Sequence, residues 1–511
     1  MEPWPDFVLF RIDGMPLTVL LAIFVAFWVP SASAIDPSPM TGDELGRCAL
    51  LTLGAIATIG LASGLVGLWT ARTVSRRGAT SRLRRRYHRA TRLLDLLTLL
   101  VFGLTVHEVG WGRAVEVGLG LEGSILLDKA LILSPFLLML LAQWWGLYPA
   151  EQALKLGHLG QARARGVEGY LILKARQALG LVLPVAMLFT LAQDLGRRFL
   201  SDRVEDPWVQ MSLFAGMGGL VLVLAPALVR LSWPARSLPP GPLRDRLERL
   251  SSRLGFRCTD ILVWDTGGAI VNAGVTGAVP WFRYVLLTDA LVEHLEPRQI
   301  EAVFGHEVGH IAHRHLGYFG LFFLGSMGAL ALVGQGVVSL LALAGLSRIW
   351  GSDPTLEMAA QGVAFLAAVS LYFLLLFGHL SRKFERQADV FGCRAVSCGQ
   401  ADCPPHHDPN GSTRLSRESD TQTADLCPVG IAIFASALSS VAALNGMEPQ
   451  AGSWRHGSIA RRIAFLRGLE GRPEAERRFQ RNVTGLRMAL ALGLTASMVL
   501  AMHFGALDQF H

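Results

Sequence analysis

Charged side chains are scarce in this chain: Asp, Glu, Lys and Arg make up 17% of its 511 residues, where a soluble globular protein carries about a quarter. That shortage excludes an ordinary water-soluble globule and points to lipid. Cysteine is also sparse, with six residues (Cys48, Cys258, Cys393, Cys398, Cys403 and Cys427). All but Cys48 fall in stretches assigned below to the cytoplasm, so thiols are expected rather than disulfides. The N-terminus lacks the basic segment of a secretory signal. Glu2, Asp6, Arg11 and Asp13 precede the first apolar run, although Ser31-Ala32-Ser33-Ala34 has the small residues of a cleavage site. A retained helix is the preferred reading. No internal repeat is visible. No paired Gly/Pro-broken spans and no charged mid-span residues favour a transporter.

What the sequence does have is long apolar runs. A span needs roughly 17–25 mostly apolar residues. Nine candidates stand near 16–33, 48–70, 93–110, 126–148, 177–194, 209–233, 318–345, 358–379 and 484–504, with 93–110 the weakest because His107 and Glu108 close it. The formal charge of +7 needs no nucleic acid to explain it, since nine arginines lie in the short stretch from Arg72 to Arg92 between two runs. The positive-inside rule places that stretch in the cytoplasm, against the lipid bilayer. Alternation then puts the polar stretches 234–317 and 380–483 on the same side. The loop 195–208, with Arg197, Arg198 and Arg203, falls outside against the rule.

Three regions follow. Residues 1–233 read as a membrane block of about six helices. Residues 234–483 read as a polar domain interrupted by the spans 318–345 and 358–379 and by a polar insert, 397–427; residues 484–511 carry a last span. Within the polar domain, Pro234–Pro242 reads as a linker. Leu243, Leu247, Leu250 and Leu254 repeat at helical spacing before Gly255. The runs Cys258–Trp264, Ala269–Thr276 and Trp281–Leu287, separated by turn residues, predict a small antiparallel sheet. Asp289 can open a short helix, and Pro297 fits the first turn of the next one.

That next helix carries His306-Glu307-Val308-Gly309-His310. Residues i and i+4 share a helix face, so both imidazoles can address one ion. Catalytic zinc takes three protein ligands and keeps one open position. Glu307 stands where it can take a proton from a water activated by the metal and deliver it to a leaving amine. Glu385 is the candidate third ligand. Two spans separate it from His310, which returns it to the same side of the membrane. Asp389, one turn on, can accept a hydrogen bond from a ligand imidazole. His313 and His315 read as ordinary polar residues at the membrane border. Cys398, Cys403, Cys427, His406 and His407 fit no standard zinc spacing well, and free thiols in a loop are preferred to a second site.

The pairing of His306-Glu307-Val308-Gly309-His310 with Glu385-Arg386-Gln387-Ala388-Asp389 resembles the integral-membrane gluzincin endopeptidases, which include the CAAX prenyl proteases and the bacterial heat-shock membrane protease. The resemblance covers about 260–470. It implies His306, His310 and Glu385 as ligands of one zinc ion, Glu307 as catalytic base and acid, and Asp389 as their support. It further implies that Asn272 and Ala273 open an edge strand that pairs with an extended substrate. It implies that His456 and Arg462 form a late pair able to stabilise an oxyanion. The nine spans and the insert 397–427 depart from the seven-span prenyl proteases, which puts a CAAX substrate in doubt.

The expected fold is therefore mainly α: a polytopic helical membrane protein with a gluzincin-like zinc peptidase domain containing a small antiparallel sheet. The expected function is membrane-bound zinc metalloendopeptidase, acting on membrane or membrane-tethered proteins at the cytoplasmic face of a bacterial-type plasma membrane. The alternative is a degenerate peptidase serving as a non-catalytic membrane scaffold or sensor. Substrate and oligomeric state have no signature in the sequence.

Overall fold

The computed structural model of the chain describes residues 38–156, 166–199, 207–343, 367–397 and 426–503, apart from a few single positions. The expected first span and the insert 397–427 lie almost wholly outside the described residues, as does the beginning of the expected span 358–379.

The N-terminal block is built from α1 (Gly42–Arg77), α2 (Ser81–His107), α3 (Leu127–Leu156), α4 (Val167–Leu179), α5 (Val182–Phe199) and α6 (Pro207–Ser232). Thr41 caps α1 in a capping box with Glu44, and Thr80 caps α2. Five helices among the described residues are long and apolar enough to cross a membrane: Gly42–Arg77, Arg82–His107, Leu127–Leu154, His315–Val337 and Pro473–His503. The run expected to be weakest, 93–110, thus belongs to a helix that begins well before it. The chain is a membrane protein of mainly helical architecture, as the runs predicted.

The polar domain begins with β1 (Ala235–Ser237), α7 (Pro242–Arg253), β2 (Asp260–Trp264), β3 (Ala273–Thr276), β4 (Tyr284–Thr288) and α8 (Asp289–His294). It continues through α9 (Pro297–Ala312) into α10 (His315–Leu343), then α11 (Gly378–Ala395), α12 (Pro428–Leu444), the short ribbon β5 (Gly452–Ser453) and β6 (Gly457–Ser458), α13 (Ile459–Leu469) and α14 (Pro473–His503). Leu247 and Leu250 of α7 are buried, and Gly255 follows at φ +61, the left-handed stop the spacing predicted.

The sheet corrects two expectations. Its order is β1-β2-β4-β3, and β2 runs parallel to β4, so it is mixed and not wholly antiparallel. The linker Pro234–Pro242 contains β1, paired antiparallel with β2. The physical reason lies in β4. Every residue of Tyr284-Val285-Leu286-Leu287-Thr288 is buried, and a strand apolar on both faces takes the centre of a sheet. The less apolar Ala273-Gly274-Val275-Thr276 is pushed to the edge, antiparallel to β4. A single core then joins this sheet to α7, α9 and α11 through Leu247, Val285, Leu287, Phe304, Val308 and Phe391.

Helices α9 and α11 meet at backbone distance. A Cβ placed on Gly305 would stand 2.5 Å from the Ala395 Cβ, and one on Gly309 would stand 2.9 Å from the Phe391 Cβ. Gly392 faces back across the same seam, with the Ala302 carbonyl 2.9 Å from where its Cβ would be. We expect Gly305→Ala to lower stability by about 1–3 kcal/mol through overpacking, read by denaturant unfolding in detergent. An unchanged midpoint would show that the seam has slack.

Candidate metal centre

The close seam brings four side chains from two helices together. On α9, His306 and His310 are one turn apart, and their Nε2 atoms stand 3.3 Å from each other. On α11, Glu385 and Asp389 are one turn apart. Glu385 lies with Oε2 3.7 Å from His306 Nε2 and Oε1 3.7 Å from His310 Nε2. One ligand atom from each of His306, His310 and Glu385 falls within 4.8 Å of the others.

The donor set fits zinc. Zn–N bonds of about 2.0–2.1 Å at tetrahedral angles hold neighbouring nitrogens about 3.3–3.4 Å apart, the separation seen between the two Nε2 atoms. The other nitrogen of each ring is engaged elsewhere. His306 Nδ1 lies 3.0 Å from Asp389 Oδ1. His310 Nδ1 lies 2.9 Å from His315 Nδ1. Both Nε2 lone pairs are thereby left for a shared ion. His306 also lies against Phe434, with ring centroids 5.8 Å apart.

A third helix closes the site. From α13, Arg462 donates from Nε to Asp389 Oδ2 at 2.9 Å and from Nη2 to Oδ1 at 2.5 Å. Its Nη1 stands 3.6 Å from Glu385 Oε2. His456, at the tip of the β5–β6 ribbon, places Nδ1 3.0 Å from Glu385 Oε1. Asp389 is fully buried, and Glu385 and His306 are nearly so. Burial pushes both carboxyls up. At Glu385 it is outweighed by His456, Arg462 and His310, which hold the carboxyl well below the usual carboxylate range. At Asp389 it is outweighed chiefly by Arg462 and His306. Burial holds Glu307 above the usual carboxylate range, although His306 pulls it down. Burial also pushes His310 down to about 4, so its imidazole is neutral at pH 7.

The residues singled out in the sequence fall into two groups. His306, Glu307, His310, Glu385, Asp389, His456 and Arg462 converge on one buried locus. Asn272 and Ala273 stand apart from it: Asn272 exchanges hydrogen bonds with Thr288, and Ala273 pairs with Leu287. Their strand nevertheless packs against α9. Arg462 is committed to the two carboxylates rather than to open space. One residue was missed. His315, read as a border residue, is 1% exposed and contacts His310 directly. Its spacing from His310 is off-face in a continuous helix, and the helix breaks between them. The described residues of the insert begin again at Leu426, so Cys398, Cys403, His406 and His407 lie outside them.

Comparison with known proteins relates this region to peptidases. Residues 238–405 match the model of peptidase family M48. A protease HtpX homolog of Pyrobaculum aerophilum is 31% identical over 174 residues, which is 34% of this chain and 47% of that protein. The protease HtpX of Xylella fastidiosa is 29% identical over 203 residues, 36% of this chain and 65% of that protein. A CAAX prenyl protease 1 homolog of Arabidopsis thaliana is 30% identical over 204 residues, 38% of this chain and 46% of that protein. The chain thus spans about half to two thirds of the length of the curated relatives it matches. The crystal structure of S. mikatae Ste24p aligns over 84% of this chain and all of that one, with a TM-score of 0.44 at 16% identity, too low to build on. Over residues 238–405 the chain is similar to peptidase family M48, and it resembles the proteases of the HtpX and CAAX prenyl protease type.

Proposed function

We propose that this protein is a membrane-bound zinc metalloendopeptidase that hydrolyses peptide bonds of membrane or membrane-tethered proteins. The observation that carries the reading is the convergence of His306 Nε2, His310 Nε2 and a Glu385 oxygen within 4.8 Å. The M48 match over 238–405 supports it.

Zinc, when bound, supplies a Lewis acid and brings the pKa of water from 15.7 toward about 7. His306, His310 and Glu385 would hold it. Glu307 takes the proton of the attacking water and passes it to the leaving amine. A carboxyl held above its usual range suits both halves of that exchange. His456 sits beside Glu385 on a ribbon that is partly open, 35% exposed at the side chain, and can offer a proton to the oxyanion. Arg462 keeps Asp389 ionised, and Asp389 aims His306.

The substrate backbone has a place to dock. Among the described residues, strand β3 is an edge, paired with β4 alone. Because the Thr288 amide donates to the Asn272 carbonyl, antiparallel alternation turns the N–H and C=O of Ala273 away from β4. An extended peptide can add there. The arginine-rich stretch lies on the metal side, since Arg85 forms a 2.8 Å ion pair with Glu448 of the peptidase region. With the positive-inside rule, this supports a zinc centre facing the cytoplasm.

Three tests follow. Glu307→Gln should abolish cleavage of an unfolded membrane substrate while one zinc per chain remains bound. Zinc bound by the native chain with no turnover would favour the scaffold reading. Ala273→Pro, which removes an outward N–H, should raise KM with zinc content unchanged; an unaltered KM would move the substrate off this strand. Asp389→Asn strips buried Arg462 of its bidentate partner, leaving Glu385 at 3.6 Å as its nearest carboxylate, and should cost about 3–5 kcal/mol at neutral pH. The Asp389 carboxyl is held below its ordinary 3.8. Its contribution is therefore complete above that pH and is lost as pH falls through the depressed value. The difference in unfolding free energy between native and variant, measured on metal-free protein in detergent, should narrow only in that acid range. A difference that stays constant there would contradict the pairing.

A further inference from the structure

We propose that His315, Gln387 and Arg487 form a relay that fixes the tautomer and aim of His310, so that the last helix of the chain helps set the geometry of the metal centre. The inference rests on the zinc reading above and concerns residues to which that reading gives no part.

The relay is legible from donors and acceptors alone. Arg487 has only N–H groups to offer, so the Gln387 atom 2.5 Å from its Nη2 must be the carbonyl oxygen Oε1. The Gln387 Nε2 donates to Gln480 Oε1 at 2.5 Å, which agrees with that orientation. The same Oε1 stands 3.1 Å from His315 Nε2, so this nitrogen carries the proton and donates. In the neutral ring, Nδ1 is then left with its lone pair. It accepts from His310 Nδ1, 2.9 Å away. His310 must therefore keep its Nε2 lone pair free, on the side where His306 and Glu385 converge. One cation at the far end decides which nitrogen of His310 can bind metal.

The surroundings hold each member still. His315 is 1% exposed and Gln387 3% exposed. The His315 ring stacks on Phe384, with centroids 4.2 Å apart and planes 6° from parallel. The Arg487 guanidinium lies 5.1 Å from the Phe384 ring centre and 4.7 Å from that of Tyr318. The backbone contributes too. Arg314 adopts a left-handed φ of 55° between α9 and α10, and this turn carries His315 back toward His310. Helix α14 also pairs its Glu476 with Arg394 of α11, so two of its side chains besides Arg487 grip the ligand-bearing helix.

The test is zinc affinity of the full-length chain in detergent, measured by competition with a chromogenic chelator. His315→Phe fills the space without an acceptor and should weaken zinc binding by about 10–100-fold. His315→Asn returns an acceptor where the Nδ1 lone pair stood and should recover most of that loss. Arg487→Met leaves the histidines and their packing in place and frees the Gln387 amide to turn; it should weaken binding as well, and it serves if the Phe variant does not fold. A folded His315→Phe or Arg487→Met chain that binds zinc as tightly as the native overturns the relay and leaves the metal reading intact. An Asn variant no better than Phe marks a packing role and overturns it too. A native chain that binds no zinc overturns both.

Discussion

Everything at the candidate metal centre depends on how closely α9 and α11 approach. A carboxylate on one helix must reach two imidazoles on another, and Glu is a short arm for that task. Gly305, Gly309 and Gly392 remove the side chains that would stand between the backbones. The two unspecified positions of the five-residue histidine motif are thus not equivalent. Val308 is buried in the core beside the sheet, while Gly309 makes the contact with α11 possible. A motif usually quoted for its ligands also encodes the crossing of the helix that bears them.

The second constraint is charge. Two carboxylates and two histidines are buried together, and burial alone would protonate the acids. Arg462 balances the account from α13, bidentate to Asp389 and within reach of Glu385. Such a group is costly to leave half-paired. The site is therefore organised as a set, with an interhistidine spacing that matches a tetrahedral metal.

Much of this was legible in the sequence because it is local or topological. The i, i+4 histidines, the leucine spacing of α7 and the Pro297 start of α9 are short-range signals. Glu385 followed from counting spans, which needs no knowledge of packing. The rest required three-dimensional competition. β4 displaced β3 from the centre of the sheet because it is more apolar, a comparison that reading along the chain does not make. β1 hid among prolines. His315 reads as a polar residue at the membrane border, and nothing along the chain shows that the left-handed turn at Arg314 carries it back to His310. Gln387 and Arg487 are 100 residues apart, and nothing in the spacing of either predicts the other.

The last described helix, α14, follows every proposed zinc ligand in sequence. Its packing nevertheless ties it to the peptidase region. Leu494 and Met498 lie where Cβ atoms on Gly325 and Gly328 of α10 would be, so the helix is fitted tightly into the membrane part. Its polar end supplies Glu476, Gln480 and Arg487 to α11. The segment that matches the peptidase family ends at residue 405, before His456, Arg462 and all three of these. A fragment cut to the boundaries of that similarity would keep every proposed zinc ligand and lose the scaffolding that orients them. The border drawn by sequence similarity and the border of the working unit are different lines.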